Sequence, residues 1–118
     1  MDILVVDDAL FLRKILRDIL TRNGFNVIGE ATDGQDAVEK YIELRPDIVT
    51  MDITMPRLNG IDAMKQILQK HPEAKVIMCS AMGREDFQKE ALDAGAVDFI
   101  TKPFVEENIV DTIKQHIG

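Results

Sequence analysis

The chain has 118 residues, 46% hydrophobic and only 5% aromatic, which suits one domain with an aliphatic core. Lys and Arg number 14 against 21 Asp and Glu, a net charge of −7 that repels phosphate backbones and argues against nucleic-acid binding. There is no basic run for a polybasic membrane anchor, and the single cysteine excludes an internal disulfide or a cysteine-based metal site. The N-terminus has no charged leader, cleavage site or long apolar stretch, so an unprocessed cytoplasmic protein without a membrane association is expected.

The first segment, "ILVV" (3–6), is continuously apolar and runs straight into Asp7 and Asp8. Such a run reads as a strand buried on both faces. Residues 9–23 then place Phe11, Leu12, Ile15, Leu16, Ile19 and Leu20 on one helical stripe, with Gly24 as a C-terminal stop. "NVIGEA" (26–31) reads as a second strand, and "ATDG" as the turn into a helix over 34–44 carrying Ala37, Val38, Tyr41 and Ile42, stopped by Pro46. "DIVTM" (47–51) is a third strand, followed by a helix over 59–70 with Ile61, Met64, Ile67 and Leu68, and by Pro72. "KVIMCS" (75–80) is a fourth strand, and 84–94 a helix with Phe87, Ala91 and Leu92 before Gly95. "VDFI" (97–100) is the fifth strand, and 106–117 a last helix carrying Ile109, Val110, Ile113 and Ile117. No linker, low-complexity tract or internal repeat interrupts the series.

Five strand–helix units with short connections imply an α/β domain with a parallel five-stranded sheet and helices on both faces. In such folds ligands bind beyond the carboxyl ends of the strands. Asp7 and Asp8 follow the first strand, Asp52 the third and Lys102 the fifth, while Ser80 ends the fourth. Three carboxylates, a hydroxyl and an ammonium should therefore share one rim. Converging carboxylates raise one another's pKa, and a hard divalent cation such as Mg2+ relieves that repulsion. The set suits placing a phosphoryl group on an aspartate, with stabilisation mainly electrostatic.

The segments "VVDDA", "PDIVTMDITMPRLNGIDA", "CSAM" and "ALDAGAVDFITKPF", in that order, resemble the receiver domain of two-component response regulators over the full length, 1–118, with no output domain. Within that family the similarity is greatest to single-domain chemotaxis regulators. The resemblance implies a doubly wound (βα)5 flavodoxin-like fold of strand order 2-1-3-4-5. It implies that Asp52 is the phosphoacceptor, loaded from a phosphohistidine on a chemotaxis kinase. Asp8 would bind Mg2+ directly, with Asp7 acting through water and Thr54 offering its backbone carbonyl. Lys102 would contact phosphoryl oxygens, and the Lys102–Pro103 bond would be cis. Ser80 would be the switch hydroxyl and Phe99 the switch aromatic, biasing a two-state packing element. Phe99 lacks the hydroxyl of a tyrosine, so packing alone would report its position. Thr54 and Met82 stand where the family tunes phosphoryl lifetime; neither orients water well, which implies slow self-dephosphorylation. A monomer acting on a flagellar or archaellar switch or adaptor protein, and a phosphatase partner, complete what the resemblance implies.

Other readings compete. Acid pairs often end strands in solvated turns, a strand-end serine can simply cap, and aromatics mostly pack. Cys79 reads as a small core residue, and Met51, Met55, Met64 and Met78 as gap-filling positions. His71 and His116, near helix ends, are expected to be exposed and without a role. Glu85, Asp86, Glu106 and Glu107 complement helix dipoles. An aspartyl-nucleophile phosphatase of the haloacid dehalogenase type would instead place its nucleophile after the first strand, in a D-x-D arrangement. An FMN-binding flavodoxin needs a hydroxyl- and glycine-rich loop where this chain has "DDALFL". A phosphorelay intermediate, passing its phosphoryl group to another histidine protein, shares the receiver chemistry.

Overall fold

A computed structural model describes residues 1–117. Five strands and five helices alternate: β1 (Asp2–Val6), α1 (Leu10–Arg22), β2 (Asn26–Ala31), α2 (Gly34–Leu44), β3 (Ile48–Asp52), α3 (Gly60–Lys70), β4 (Val76–Ala81), α4 (Glu85–Asp93), β5 (Asp98–Lys102) and α5 (Glu106–Lys114). The strands form one parallel sheet in the order β2-β1-β3-β4-β5. The order implied by the resemblance is the order observed.

The sheet is sealed on both faces, which is why its central strands carry no polar alternation. Leu4, Val6, Val49, Met51, Val76 and Met78 point into a layer closed by α2, α3 and α4. The intervening residues Ile3, Val5, Ile48, Ile77, Cys79 and Ile100 meet α1 and α5 on the other side. Cys79 is indeed a buried core thiol, its pKa pushed up to about 12, first by burial and then by the Asp52 and Asp7 charges, with Lys102 opposing.

Local signals set the helix ends. Asp33 and Asn59 cap α2 and α3 by accepting from the backbone N–H of Asp36 and Asp62. Gly24 and Gly95, at φ 86° and 118°, turn the chain out of α1 and α4 where a side chain would be strained. α5 stops at Lys114, three residues short of the expected end.

Two sets of expectations need correction. Phe11 is 73% exposed, and Ile42, Leu92 and Ile117 are also exposed, although periodicity places them on inward stripes. The reason is geometric: a helical pattern does not show where the sheet beneath it ends, and the first turn of α1 begins past the end of β1. His71 and His116 are partly buried rather than exposed. The His71 ring tilts against Tyr41 with centroids 5.4 Å apart. His116 Nε2 lies 3.0 Å from Asp98 Oδ2, and its carbonyl accepts from Lys75 Nζ at 2.8 Å, so the residue fastens the end of α5 to the sheet.

The close approach of α3 to β3 depends on Gly60. Its N–H donates to the carbonyl of Ile53 at 2.7 Å, and a Cβ there would lie 2.1 Å from the carbonyl oxygen of Asp52. Gly60→Ala is expected to destabilise the fold by about 2 kcal/mol, through the backbone displacement that overpacking forces. Urea denaturation of the two proteins at one pH measures the difference.

Candidate functional site

Asp52 is the last residue of β3 and Lys102 the last of β5, so both lie within strand ends rather than in the loops after them. Asp7 follows β1 directly. Its N–H donates to the carbonyl of Ala31 at 3.1 Å, and its Oδ1 accepts from the N–H of Ala9 at 2.9 Å, which turns the chain into α1. Arg13, one turn into α1, donates to the Asp7 carbonyl at 2.8 Å. Asp7 is thus held from three sides and buried, while Asp8 beside it is exposed.

Lys102 joins these elements. Its Nζ stands 3.0 Å from Asp7 Oδ2 and 3.2 Å from Asp52 Oδ1. Burial pulls the ammonium's pKa down, but the hydrogen bond to Asp7 and the nearby charges of Asp52 and Asp7 outweigh it and raise the pKa. One cation nevertheless serves three acids: Asp7, Asp8 and Asp52 each offer a carboxylate oxygen within 4.8 Å of the others. Asp52 carries the consequence. Burial first, then the charges of Asp7 and Asp8, push its pKa from 3.8 to about 6, against the pull of Lys102.

A hard divalent cation fits this donor set. The ligands are all oxygen, one lysine only partly offsets the repulsion of three acids, and Asp8 leaves an open side on which a metal could keep water. Beside the acids lies a cavity of about 200 Å3 lined by Asp52, Thr54, Ser80, Arg84, Phe87 and Lys102. It has room for a small anionic group.

Ser80 is buried in β4, one residue before the strand ends at Ala81. Its Oγ accepts from Gln88 Nε2 at 3.2 Å. The Lys102–Pro103 bond is cis, as the resemblance implies. Phe99 is partly buried in β5, its N–H donating to Asp98 Oδ1 at 2.8 Å. Of the two residues at lifetime-tuning positions, Thr54 lines the cavity, whereas Met82 is 73% exposed outside that lining.

The tertiary contacts add residues that strand-end reasoning passes over. Arg84 lines the cavity with its guanidinium 3.6 Å from the centre of the Phe87 ring, paired to Asp86. Gln88 reaches Ser80 from α4. The sequence does carry a signal for Gln88: residues 87, 88 and 91 recur at i, i+1 and i+4, which puts one amide beside the inward Phe87 and Ala91. Arg13 carried no comparable signal, since its Asp7 contact is made to a backbone oxygen.

Residues 3–114 match the response regulator receiver domain family. The chain belongs to that family. As a receiver domain it is 57% identical over 113 residues to the chemotaxis protein CheY of Thermotoga maritima, covering 96% of this chain and 94% of that protein. It is 52% identical over 116 residues to CheY of Bacillus subtilis, covering 98% and 97%. Its fold superposes with a TM-score of 0.93 on a CheX–CheY–BeF3–Mg2+ complex from Borrelia burgdorferi, at 41% identity and covering 98% of this chain and 87% of that one. Receiver domains bind Mg2+ at an acidic pocket, and Asp7, Asp8 and Asp52 form an acidic cluster here. No helix among the described residues is long and apolar enough to cross a membrane.

The raised pKa of Asp52 has a consequence for stability. An acid that holds its proton more tightly folded than unfolded opposes folding once it ionises, so the penalty is absent below about pH 4 and complete above about pH 6. Asp52→Asn is expected to stabilise the metal-free receiver by about 1–2 kcal/mol at pH 7.5 and by almost nothing at pH 4. Urea denaturation in chelator across that range checks both the sign and the window.

Proposed function

We propose that this receiver is a chemotaxis response regulator that takes a phosphoryl group from a kinase phosphohistidine onto Asp52. The observation carrying this reading is the convergence of Lys102, Asp7 and Asp52, residues of three different strand ends, on contacts of 3.0 and 3.2 Å. Support comes also from the CheY relatives, whose lengths are spanned to 94% and 97%.

Asp8, Asp52 and the Thr54 carbonyl would hold Mg2+, with Asp7 acting through water. The ion supplies charge neutralisation for the acids and the phosphoryl oxygens. Asp52 attacks as the carboxylate: its oxygen forms the new P–O bond, the P–N bond to the histidine breaks, and the freed imidazole nitrogen takes a proton from solvent. Lys102 neutralises phosphoryl oxygens, and Ser80 donates its O–H to one of them. Removing that hydroxyl from its resting place frees space for Phe99 to turn inward, and the face of α4, β5 and α5 then differs between the two states.

The partners follow from this chemistry. A phosphohistidine kinase loads the site, and a flagellar or archaellar switch or adaptor protein reads the altered face in the cytoplasm. Leu10 and Phe11, 70% and 73% exposed beside the acid pair, give such partners apolar surface at the rim. The Borrelia complex supports a phosphatase among them. With Thr54 lining the cavity and no acid or amide at the other lifetime-tuning position, Met82, self-dephosphorylation is slow. The receiver transfers a phosphoryl group to itself and turns over no external substrate.

Two measurements test the assignment. Asp52→Asn is expected to abolish labelling by acetyl phosphate, read by intact-protein mass; a variant still labelled stoichiometrically at another residue removes Asp52 from the role. Asp8→Ala, losing one carboxylate ligand, is expected to weaken Mg2+ binding by at least tenfold. An unchanged magnesium titration counts against Asp8 as a ligand.

A further inference from the structure

The amide of Gln88 is the feature of this rim that the phosphoryl chemistry above does not use. Among the described residues, its bond to Ser80 Oγ is the one side-chain hydrogen bond between α4 and β4. α4 is otherwise lightly attached: it has nine residues, a single fully buried side chain, Ala91, and no side-chain hydrogen bond at its N-cap. The neighbouring exposed Arg84 and half-buried Phe87 are engaged with Asp86 and with each other. Gln88 sits in the first turn, its own N–H bonded to the carbonyl of Arg84 at 3.1 Å. Helical side chains lean towards the N-terminus, which directs this one over the end of β4.

The register explains what the bond does. Asp52 pairs with Cys79 across β3 and β4, so Ser80 stands one residue further along. Successive strand side chains alternate faces. Cys79 turns towards α1 and α5, and Ser80 takes the opposite face with Met78, on the side covered by α4. A serine hydroxyl has one donor and two acceptor positions. Gln88 fills an acceptor position and holds the oxygen towards α4; for Ser80 to reach a phosphoryl oxygen on Asp52, the oxygen has to swing towards β3.

Resting on the function proposed above, we infer that Gln88 is a positioning residue that fastens Ser80 to the first turn of α4 in the unphosphorylated protein. Engagement of Ser80 by a phosphoryl group breaks this bond. Gln88 therefore weights the switch towards its resting state, and it releases α4 from β4 at the moment Ser80 is captured. The same bond couples the chemistry at Asp52 to the position of the helix that partners read.

The probe is beryllofluoride with Mg2+, measured by calorimetry, alongside the side-chain amide signals of Gln88 in NMR spectra of the metal-free protein. Gln88→Leu keeps the bulk and helix propensity of the site while removing the donor. It is expected to bind beryllofluoride about fivefold tighter, the equilibrium equivalent of one neutral hydrogen bond, with unchanged Mg2+ affinity in the absence of the mimic. In a Ser80→Ala background the same substitution is expected to change nothing, a coupling that a purely structural role of Gln88 would not produce. Ser80→Ala alone is expected to shift the Gln88 amide signals in the metal-free protein. Unchanged or weaker binding by Gln88→Leu, or an equal gain in the Ser80→Ala background, overturns the inference while leaving the phosphoacceptor reading intact. Failure of the unmodified protein to bind beryllofluoride with Mg2+ overturns both.

Discussion

Crowding of negative charge governs this molecule. Three carboxylates share a space in which their oxygens lie within 4.8 Å, and one lysine ammonium is the counter-charge in direct contact. Burial weakens the screening that water would provide, so the imbalance appears as an Asp52 that ionises only near pH 6. A site of this kind has a standing affinity for further positive charge. It also holds Asp52 in a state that a cation can complete.

The fold is arranged to tolerate that rim. Two aliphatic layers lock the sheet from both sides, and the acids, serine and lysine of the site gather at the carboxyl ends of β1, β3, β4 and β5. The Asp7 carboxylate is held by the N–H of Ala9 and by Lys102, and its carbonyl by Arg13, so the repulsion does not displace it. Gly60 lets the loop after Asp52 fold back against the strand at a distance no side chain permits. The stiff layer carries the acids. The lightly attached α4, with one buried residue, is the part free to respond.

That division between rigid acids and a loosely held helix fits a signalling domain. A switch needs a chemical site whose geometry persists and a neighbouring element whose position has alternatives of similar energy. Ser80 stands at the boundary, buried in β4 and bonded to α4, so a change in the partner of one hydroxyl is felt on the outer surface. On the inference drawn from the Gln88–Ser80 bond, charge at Asp52 and packing at α4 are parts of one equilibrium.

Much of this was legible along the chain. Short apolar runs identified all five strands, those of β1, β3 and β4 continuous because a strand buried on both faces has no polar alternation, and the acids, serine and lysine stood out by their places at the ends of those runs. The order of motifs was enough to identify the family. Periodicity failed at Phe11, Ile42, Leu92 and Ile117, since a helical stripe is wider than the face its neighbours cover. Position near a helix end misled at His71 and His116, whose partners Tyr41 and Asp98 come from other elements. What the sequence by itself determined was the set of elements and the chemical types gathered at one edge, because both are written in local pattern. Only the tertiary structure decided that Lys102 spans Asp7 and Asp52, that Asp8 stays open, and that Gln88 holds Ser80. Those facts are distances between residues remote in the chain, set by strand register and helix placement rather than by any local preference.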